Sequence, residues 1–389
     1  MRAPAGRYGA DGPVRLWRQP RAGTGGARRQ PPDAFLLLGT AAAVGLGLVM
    51  ILSASSVTAA ALVHDPFYYF QRQLMWAGVG AAAFVICLRI DYWRWRDLAP
   101  LIVAATFGLL GLVLVAGRVV NGSRRWLGFG PLLVQPSEFA KLTMVIVVSA
   151  WLAARSERQV RSFLRTTLPI LGLVGAAAGL ILLEPDLGTA VALAATSVVL
   201  LYVAGVPPLQ FVAIGGAGVA ALAAAIFGSA YRRERFLAFL HPQAQAQGSG
   251  YHILQSLYAL GSGGLFGVGL GQSRQKWFYL PEEHTDFIFA VLGEELGFIG
   301  GLLALSLFGL LIWRGFRIAA RAPDLFGSLL AAGLTTMLAV QVIVNIGVVS
   351  GLLPVTGIPL PMISYGGSSL VFTLTGLGIL ANISRHVRT

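Results

Sequence analysis

The chain carries few charges and has almost nothing that could crosslink it. Only 12% of its 389 residues are charged, where a soluble globule has about a quarter. Acids are the scarcer sign, 16 against 29 bases, for a formal net charge of +13. The single cysteine, Cys87, lies in an apolar run, which excludes an internal disulfide and argues against a cysteine-based metal knuckle. There is no Walker loop, no nucleophile elbow and no Cys/His cluster. The glycine runs Gly261-Ser262-Gly263-Gly264 and Gly267-Val268-Gly269-Leu270-Gly271 lack the strand–loop–helix setting of a nucleotide fingerprint. These absences remove soluble metalloenzymes, serine hydrolases and nucleotide-dependent enzymes.

What remains is apolar. Hydrophobic residues make up 56% of the chain, and the mean hydropathy is +0.73. The pI near 10.7 does not signal nucleic acid. The bases fall in short clusters between apolar runs, as the positive-inside rule describes, rather than in a stripe interleaved with aromatics. A spanning helix needs about 20 apolar residues. Ten windows qualify: 34–56, 71–90, 98–116, 138–154, 167–183, 187–204, 208–229, 286–312, 326–350 and 368–383. The expected fold is an all-α polytopic membrane protein of about ten transmembrane helices. Residues 1–33, rich in Arg, Gly and Pro, read as a disordered basic cytoplasmic tail ahead of a membrane domain over 34–389. Their length, and that of the apolar run Phe35–Leu52, argue against a cleaved signal peptide.

Orientation follows from the loops. Arg155, Arg158, Arg161 and Arg165 sit in 154–166; Arg314, Arg317 and Arg321 in 313–325; Arg385 and Arg388 in the C-terminal tail. With ten spans these clusters share one side with the basic N-terminus, hence the cytoplasm. The loops 117–137, 184–186, 230–286 and 351–367 then face outward. The long one, between the seventh and eighth spans, contains amphipathic pieces at Arg232–Leu237 and Ile253–Leu260 that suit the membrane interface.

Three acidic junctions meet on that outer side. Asp286 follows Thr285, a good N-cap, and is expected to open the eighth helix beside Pro281 and His284. Partial burial would raise its pKa and make it a better base. Glu138 and Lys141, three apart, share a helix face. They read equally as a local ion pair or as a cation facing a phosphate or a partner carboxylate. Asp186, in Glu184-Pro185-Asp186, is placed to pair with Lys141 or simply to cap. Arg124 and Arg125, after Asn121-Gly122-Ser123, offer bidentate phosphate contacts or surface anchoring. Pro354–Ser368, with Ser364-Tyr365-Gly366-Gly367-Ser368, reads as a re-entrant loop, and Glu294 and Glu295 as internal structural acids. An outward-facing acid with cations nearby suits proton abstraction from a hydroxyl with a phosphate leaving group.

From about residue 35 onward the chain resembles the SEDS family (shape, elongation, division and sporulation), the group of RodA, FtsW and SpoVE. The resemblance rests on Gln135-Pro136-Ser137-Glu138 through Lys141-Leu142, on Glu184-Pro185-Asp186-Leu187-Gly188-Thr189, on Pro281 to Glu295, and on Gly351 to Pro361. Gln255–Ala259 and Gly269–Lys276 look more like the FtsW/SpoVE branch. The resemblance implies a ten-helix glycosyltransferase of the bacterial cytoplasmic membrane that polymerises lipid II on the outer face. It implies the essential aspartate at Asp286, with Lys141 and Asp186 in support. The implied partner is a class B penicillin-binding protein within the division or elongation machinery. On this reading Arg124, Arg125, Glu138, His284 and Ser364 are candidate substrate contacts. Lys141, the two arginines or a divalent cation such as Mg or Mn would supply charge to a diphosphate. A lipid II flippase and a non-catalytic division scaffold are the alternatives.

Overall fold

The computed structural model describes residues 30–120, 123–129, 132–248 and 250–387. Nearly all of the basic tail (1–29), and with it Asn121, Gly122 and Arg388, lies outside the described residues. The chain forms α1 (Ala34–Val63), α2 (Tyr68–Arg89), α3 (Trp93–Ala116), α4 (Pro136–Ala153), the short α5 (Glu157–Val160), α6 (Leu168–Leu183), α7 (Leu187–Val203) and α8 (Pro208–Phe227). Two amphipathic helices follow, α9 (Ala230–Leu240) and α10 (Tyr251–Ser262), then α11 (Ile288–Arg321), α12 (Leu325–Val349) and α13 (Gly367–Ser384). Among the described residues nine helices are long and apolar enough to cross a membrane, and α7 is a shorter apolar helix of 17 residues. Each of the ten apolar windows therefore lands on a helix.

The all-α expectation needs one local amendment. Strands β1 (Arg118–Val120), β2 (Ser123–Phe129) and β3 (Leu132–Val134) form a small antiparallel sheet in the order β1-β2-β3 between α3 and α4. Its hairpins satisfy backbone groups that an irregular loop would leave open.

Helices α4, α12 and α13 form the centre. Burial covers 78%, 72% and 78% of their most apolar windows, against 11% for α8. The central helices carry the polar residues that lipid would penalise: Lys141, Thr143, Gln341, Asn345, Thr373 and Asn382 are all buried. Small residues set the close contacts. A Cβ at Gly378 would lie 2.6 Å from the Phe84 carbonyl oxygen, so α13 and α2 pack nearly backbone to backbone. At Gly47 it would lie 2.2 Å from the Met362 carbonyl oxygen, which seats α1 against the irregular segment 351–366.

Helix α11 differs from its expected span in two ways. It runs on to Arg321, so Arg314, Arg317 and Arg321 occupy its last turns rather than a loop. It is also broken at Gly297, whose φ of 68° and ψ of −169° lie far from helical values. The glycine-rich stretch after α10 fills the break. Val268 and Gly269 donate to the freed carbonyls of Glu294 and Glu295, each at 3.0 Å, while Phe298 and Ile299 donate to Gly264 and Leu265. The side chains of the two acids hold the same stretch. Glu294 accepts from Ser273 Oγ at 2.5 Å and from the Arg274 amide at 3.1 Å; Glu295 accepts from Ser53 and the Ser273 amide.

The described ends of the chain meet at one end of the bundle. Gln30 N donates to the Arg385 carbonyl, the Asp33 amide donates to Ser384 Oγ, and Arg314 ion-pairs with Asp33. The sheet, α9, α10 and the segments 184–186, 263–287 and 351–366 gather at the opposite end of the helices.

Candidate active site

A cavity of about 450 Å³ opens at that opposite end, within the range of small-ligand sites, about 300–1,000 Å³. Arg72 and Trp76 of α2, Arg125 and Trp126 of β2, Gln135, and Arg232 and Arg235 of α9 contribute to its wall. Glu282 and Asp286 from the pre-α11 segment, and Thr356, Gly357 and Tyr365 from segment 351–366, complete the part that bears on chemistry.

Asp286 does not open the helix. The first helical residue is Ile288, with Phe287 at the cap, and Thr285 Oγ1 donates to Glu282 Oε2 at 2.7 Å instead of capping. The cause is competition for carbonyls. Those of His284, Thr285 and Asp286 accept from Tyr365 N at 2.9 Å, Ser364 Oγ at 2.5 Å and Asn345 Nδ2 at 2.8 Å. A helix started at Thr285 would need the same carbonyls. Held this way, the half-buried carboxylate opens onto the cavity, and a Cβ on Gly357 would stand 3.6 Å from its Oδ2. Burial, reinforced by the negative charges of Glu282 and Asp186, pushes the Asp286 carboxyl up from 3.8 to about 7. Arg235 and Arg125 pull in the other direction.

The supporting residues take different partners from those expected. Lys141 does not pair with Asp186. Its ammonium lies 2.8 Å from Glu138 Oε1 and donates to Gln341 Oε1 at 2.9 Å, buried between α4 and α12. Asp186 caps α7, accepting from the Thr189 amide at 3.0 Å, from Thr189 Oγ1 at 2.8 Å and from Gln135 Nε2 at 3.3 Å. Glu138 and Lys141 thus form the local ion pair, and neither lines the cavity.

The remaining candidates separate in the same way. The β1–β2 register skips Arg125, between the pairs Val119–Arg124 and Arg118–Trp126; Arg125 lines the cavity, and Arg124 is exposed and does not. Arg125 clasps the turn between α6 and α7, donating to the carbonyls of Glu184 and Pro185 at 2.7 and 2.6 Å. His284 is buried behind the wall, its ring 4.5 Å from Tyr69 and 5.7 Å from Tyr365. Ser364 is a latch, accepting from the Leu360 amide while donating to Thr285. Neither side chain lines the cavity.

Sequence reasoning gave no separate role to five residues that matter here. Asn345 uses both hydrogens of its amide, donating to the carbonyls of Asp286 and Ile358 at 2.8 Å each, and so ties the two segments flanking the cavity. Gln341, one turn away on α12, holds Lys141. Two polar residues four apart in an apolar span are a readable signal. Arg232 and Arg235 were visible only as part of an amphipathic piece. Glu184 is fully buried beside Asp186, and burial lifts its carboxyl to about 8, so it is mostly protonated at neutral pH. Among the described residues no group of three or more His, Cys, Asp or Glu could hold a metal ion. The positive charge at the cavity wall is supplied by guanidinium groups.

Comparison with known proteins agrees with the architecture. The family model described as "Cell cycle protein" (FtsW, RodA, SpoVE) matches residues 34–389. Stage V sporulation protein E of Bacillus subtilis is 48% identical over 363 residues, covering 93% of this chain and 99% of that protein. A probable peptidoglycan glycosyltransferase FtsW of Trichlorobacter lovleyi is 42% identical over 361 residues, covering 92% and 94%. Among solved structures, a chain of a peptidoglycan synthase complex that coordinates polymerization and crosslinking superposes with a TM-score of 0.76 at 34% identity, covering 91% of this chain and 98% of that one. The rod shape determining protein RodA of Thermus thermophilus does so with 0.69 at 34% identity, covering 92% and 98%.

Proposed function

The chain belongs to the FtsW/RodA/SpoVE family of cell cycle proteins, and from that premise we propose that it is a peptidoglycan glycosyltransferase that polymerises lipid II at this cavity. The observation that carries the reading is Asp286: a half-buried carboxylate lifted to about 7, facing a cavity walled by four arginines. A base is most effective when its pKa lies near the working pH.

In the proposed step Asp286 takes the proton of the acceptor sugar's 4-hydroxyl. The oxygen's electron pair forms a bond to the donor anomeric carbon from the face opposite the leaving group. The carbon–oxygen bond to the polyprenyl diphosphate breaks, the diphosphate departs with that electron pair, and the centre inverts. One carboxylate suffices, because a diphosphate surrounded by guanidinium groups leaves without protonation. Asn345 holds the Asp286 backbone in place, and Asp186 adjusts the proton affinity of the base at a distance. The pair Glu138–Lys141 acts from behind, fixing α4 to α12 through Gln341.

The cavity end faces outward and both termini are cytoplasmic on this proposal, in accord with the arginine clusters of the opposite end. A class B penicillin-binding protein is the proposed partner. The test is polymerisation of fluorescent lipid II by the purified chain in detergent, with and without that partner. Glycan strands that vanish in Asp286→Asn support the reading. Absence of strands under every condition, with labelled lipid II moved across vesicles instead, would replace it with lipid transport.

A further inference from the structure

The arginines of the cavity are not equivalent. Arg125 has committed two of its N–H groups to the carbonyls of Glu184 and Pro185. Arg232 and Arg235 are three apart on α9, so they share the face turned to the cavity, while Arg233 between them is exposed. The Nη1 of Arg232 is buried and has no hydrogen-bond partner. The guanidinium of Arg235 lies over the Tyr231 ring at 4.6 Å, an orientation that steadies the group and leaves its edge available for an anion. Elsewhere Lys141 is matched by Glu138 and Gln341, and Arg314 by Asp33. A buried cationic donor without an acceptor is costly, and a built site for an absent anion accounts for it. The acids of the cavity, Glu282 and Asp286, come from a different segment of the wall.

We propose that Arg232 and Arg235 form the subsite that grips the diphosphate of the lipid-linked donor. The donor then lies along α9, and Asp286, on a separate part of the wall, meets the acceptor hydroxyl. Two guanidinium forks one helical turn apart match two linked phosphate groups, and they place positive charge where the leaving group gains its negative charge. The aromatic side chains of Tyr231 and Phe236 on the same helix line the cavity beside them, an apolar surface for the group attached to the diphosphate. This assignment rests on the glycosyltransferase reading for its substrate, yet its chemistry, a diphosphate ester, can be tested without turnover.

The experiment titrates farnesyl diphosphate into the full-length purified chain in detergent and follows binding by calorimetry. Farnesyl monophosphate, inorganic pyrophosphate and phosphatidylglycerol are the comparison ligands. Arg232→Gln and Arg235→Gln should each weaken farnesyl diphosphate binding by about tenfold or more, since hydrogen bonds between charged partners are lost. Arg233→Gln should bind as the parent does. Arg235→Lys, which keeps the charge and loses the fork, should fall between. The proposal is overturned if the parent does not bind farnesyl diphosphate, if the Gln variants bind as the parent does, or if Arg233→Gln weakens binding equally. Competition by phosphatidylglycerol as strong as by the diphosphate would also overturn it and make α9 a lipid-surface anchor. Polymerisation measured in parallel separates the two readings. Arginine-dependent binding without glycan synthesis leaves the subsite standing and removes the enzyme; glycan synthesis unaffected by the α9 variants does the reverse.

Discussion

Replacing Asp286 with Asn should move activity and stability in opposite directions. The folded protein raises this carboxyl from 3.8 to about 7, with burial the largest cause. At about 1.4 kcal/mol for each tenfold change in proton affinity, the folded state gives up on the order of 4 kcal/mol to hold the ionised form. For an acid with a raised folded pKa, that cost is absent below the unfolded value, grows as pH rises, and is complete above about 7. Asn has nearly the same shape and carries no charge, so Asp286→Asn should raise the apparent melting temperature at pH 8. The two forms should converge near pH 4. Activity should fall about 10²–10⁴-fold, the typical contribution of a positioned base. In the parent chain, kcat/KM should climb with pH through about 7 and level off above it, and the residual activity of the Asn variant should lack that limb. Lipid II polymerisation across pH 5–9 and thermal unfolding in the same detergent measure both. An Asn variant that loses stability together with activity at pH 8 would refute the reasoning, because a merely structural Asp286 is the case in which the two decline in step.

Three further expectations follow from the partners. Lys141→Ala strands Glu138 in the bundle and should cost several kcal/mol, about 3–5 for a broken buried pair. Lys141→Met with Glu138→Gln should recover much of that in thermal unfolding, whereas Lys141→Ala and Asp186→Asn should act additively because they share no bond. Asn345→Ala leaves the carbonyls of Asp286 and Ile358 without a donor, about 1–3 kcal/mol each; kcat should drop more than KM changes, and equal kinetics would deny it a positioning role. Asp186→Asn can still cap α7 but removes a negative charge that raises the Asp286 pKa, so the acid limb of the pH profile should move to lower pH; an unmoved limb would show that the charge is not felt.

The spans were legible because hydropathy over a window is nearly all that decides a transmembrane helix. Even the short α7 was separated from α6, since Glu184-Pro185-Asp186 cannot continue a helix through lipid. The break in α11 was not legible. Gly297 is one glycine among many in apolar runs, and its conformation depends on a loop some 30 residues earlier supplying hydrogen bonds that the helix lacks. The sheet was missed for the same reason. Its strands are short, and its evidence is pairing between segments rather than any period within one.

The site shows where local reasoning ends. Thr285 before Asp286 has the pattern of a cap, and the pattern failed because Asn345, Ser364 and Tyr365 compete for the carbonyls a helix would use. Lys141 and Asp186 lie toward the same end of the bundle, as expected, yet Glu138 is one turn from Lys141 on its own helix and Gln341 faces it from α12, so the nearer partners prevail. Arg124 and Arg125 were weighed together because neighbours in a loop are interchangeable; in the sheet Arg124 pairs with Val119 and Arg125 falls at the irregularity of the register, and only Arg125 lines the cavity. In each case the partner differs from the one that local reasoning supplied. Charge and polarity at membrane depth mark which residues matter, since burying them without purpose is costly. Which of them touch is decided by packing between helices distant in sequence. Asn345 shows the consequence: it lies 59 residues from Asp286 in the chain and yet donates to its backbone carbonyl.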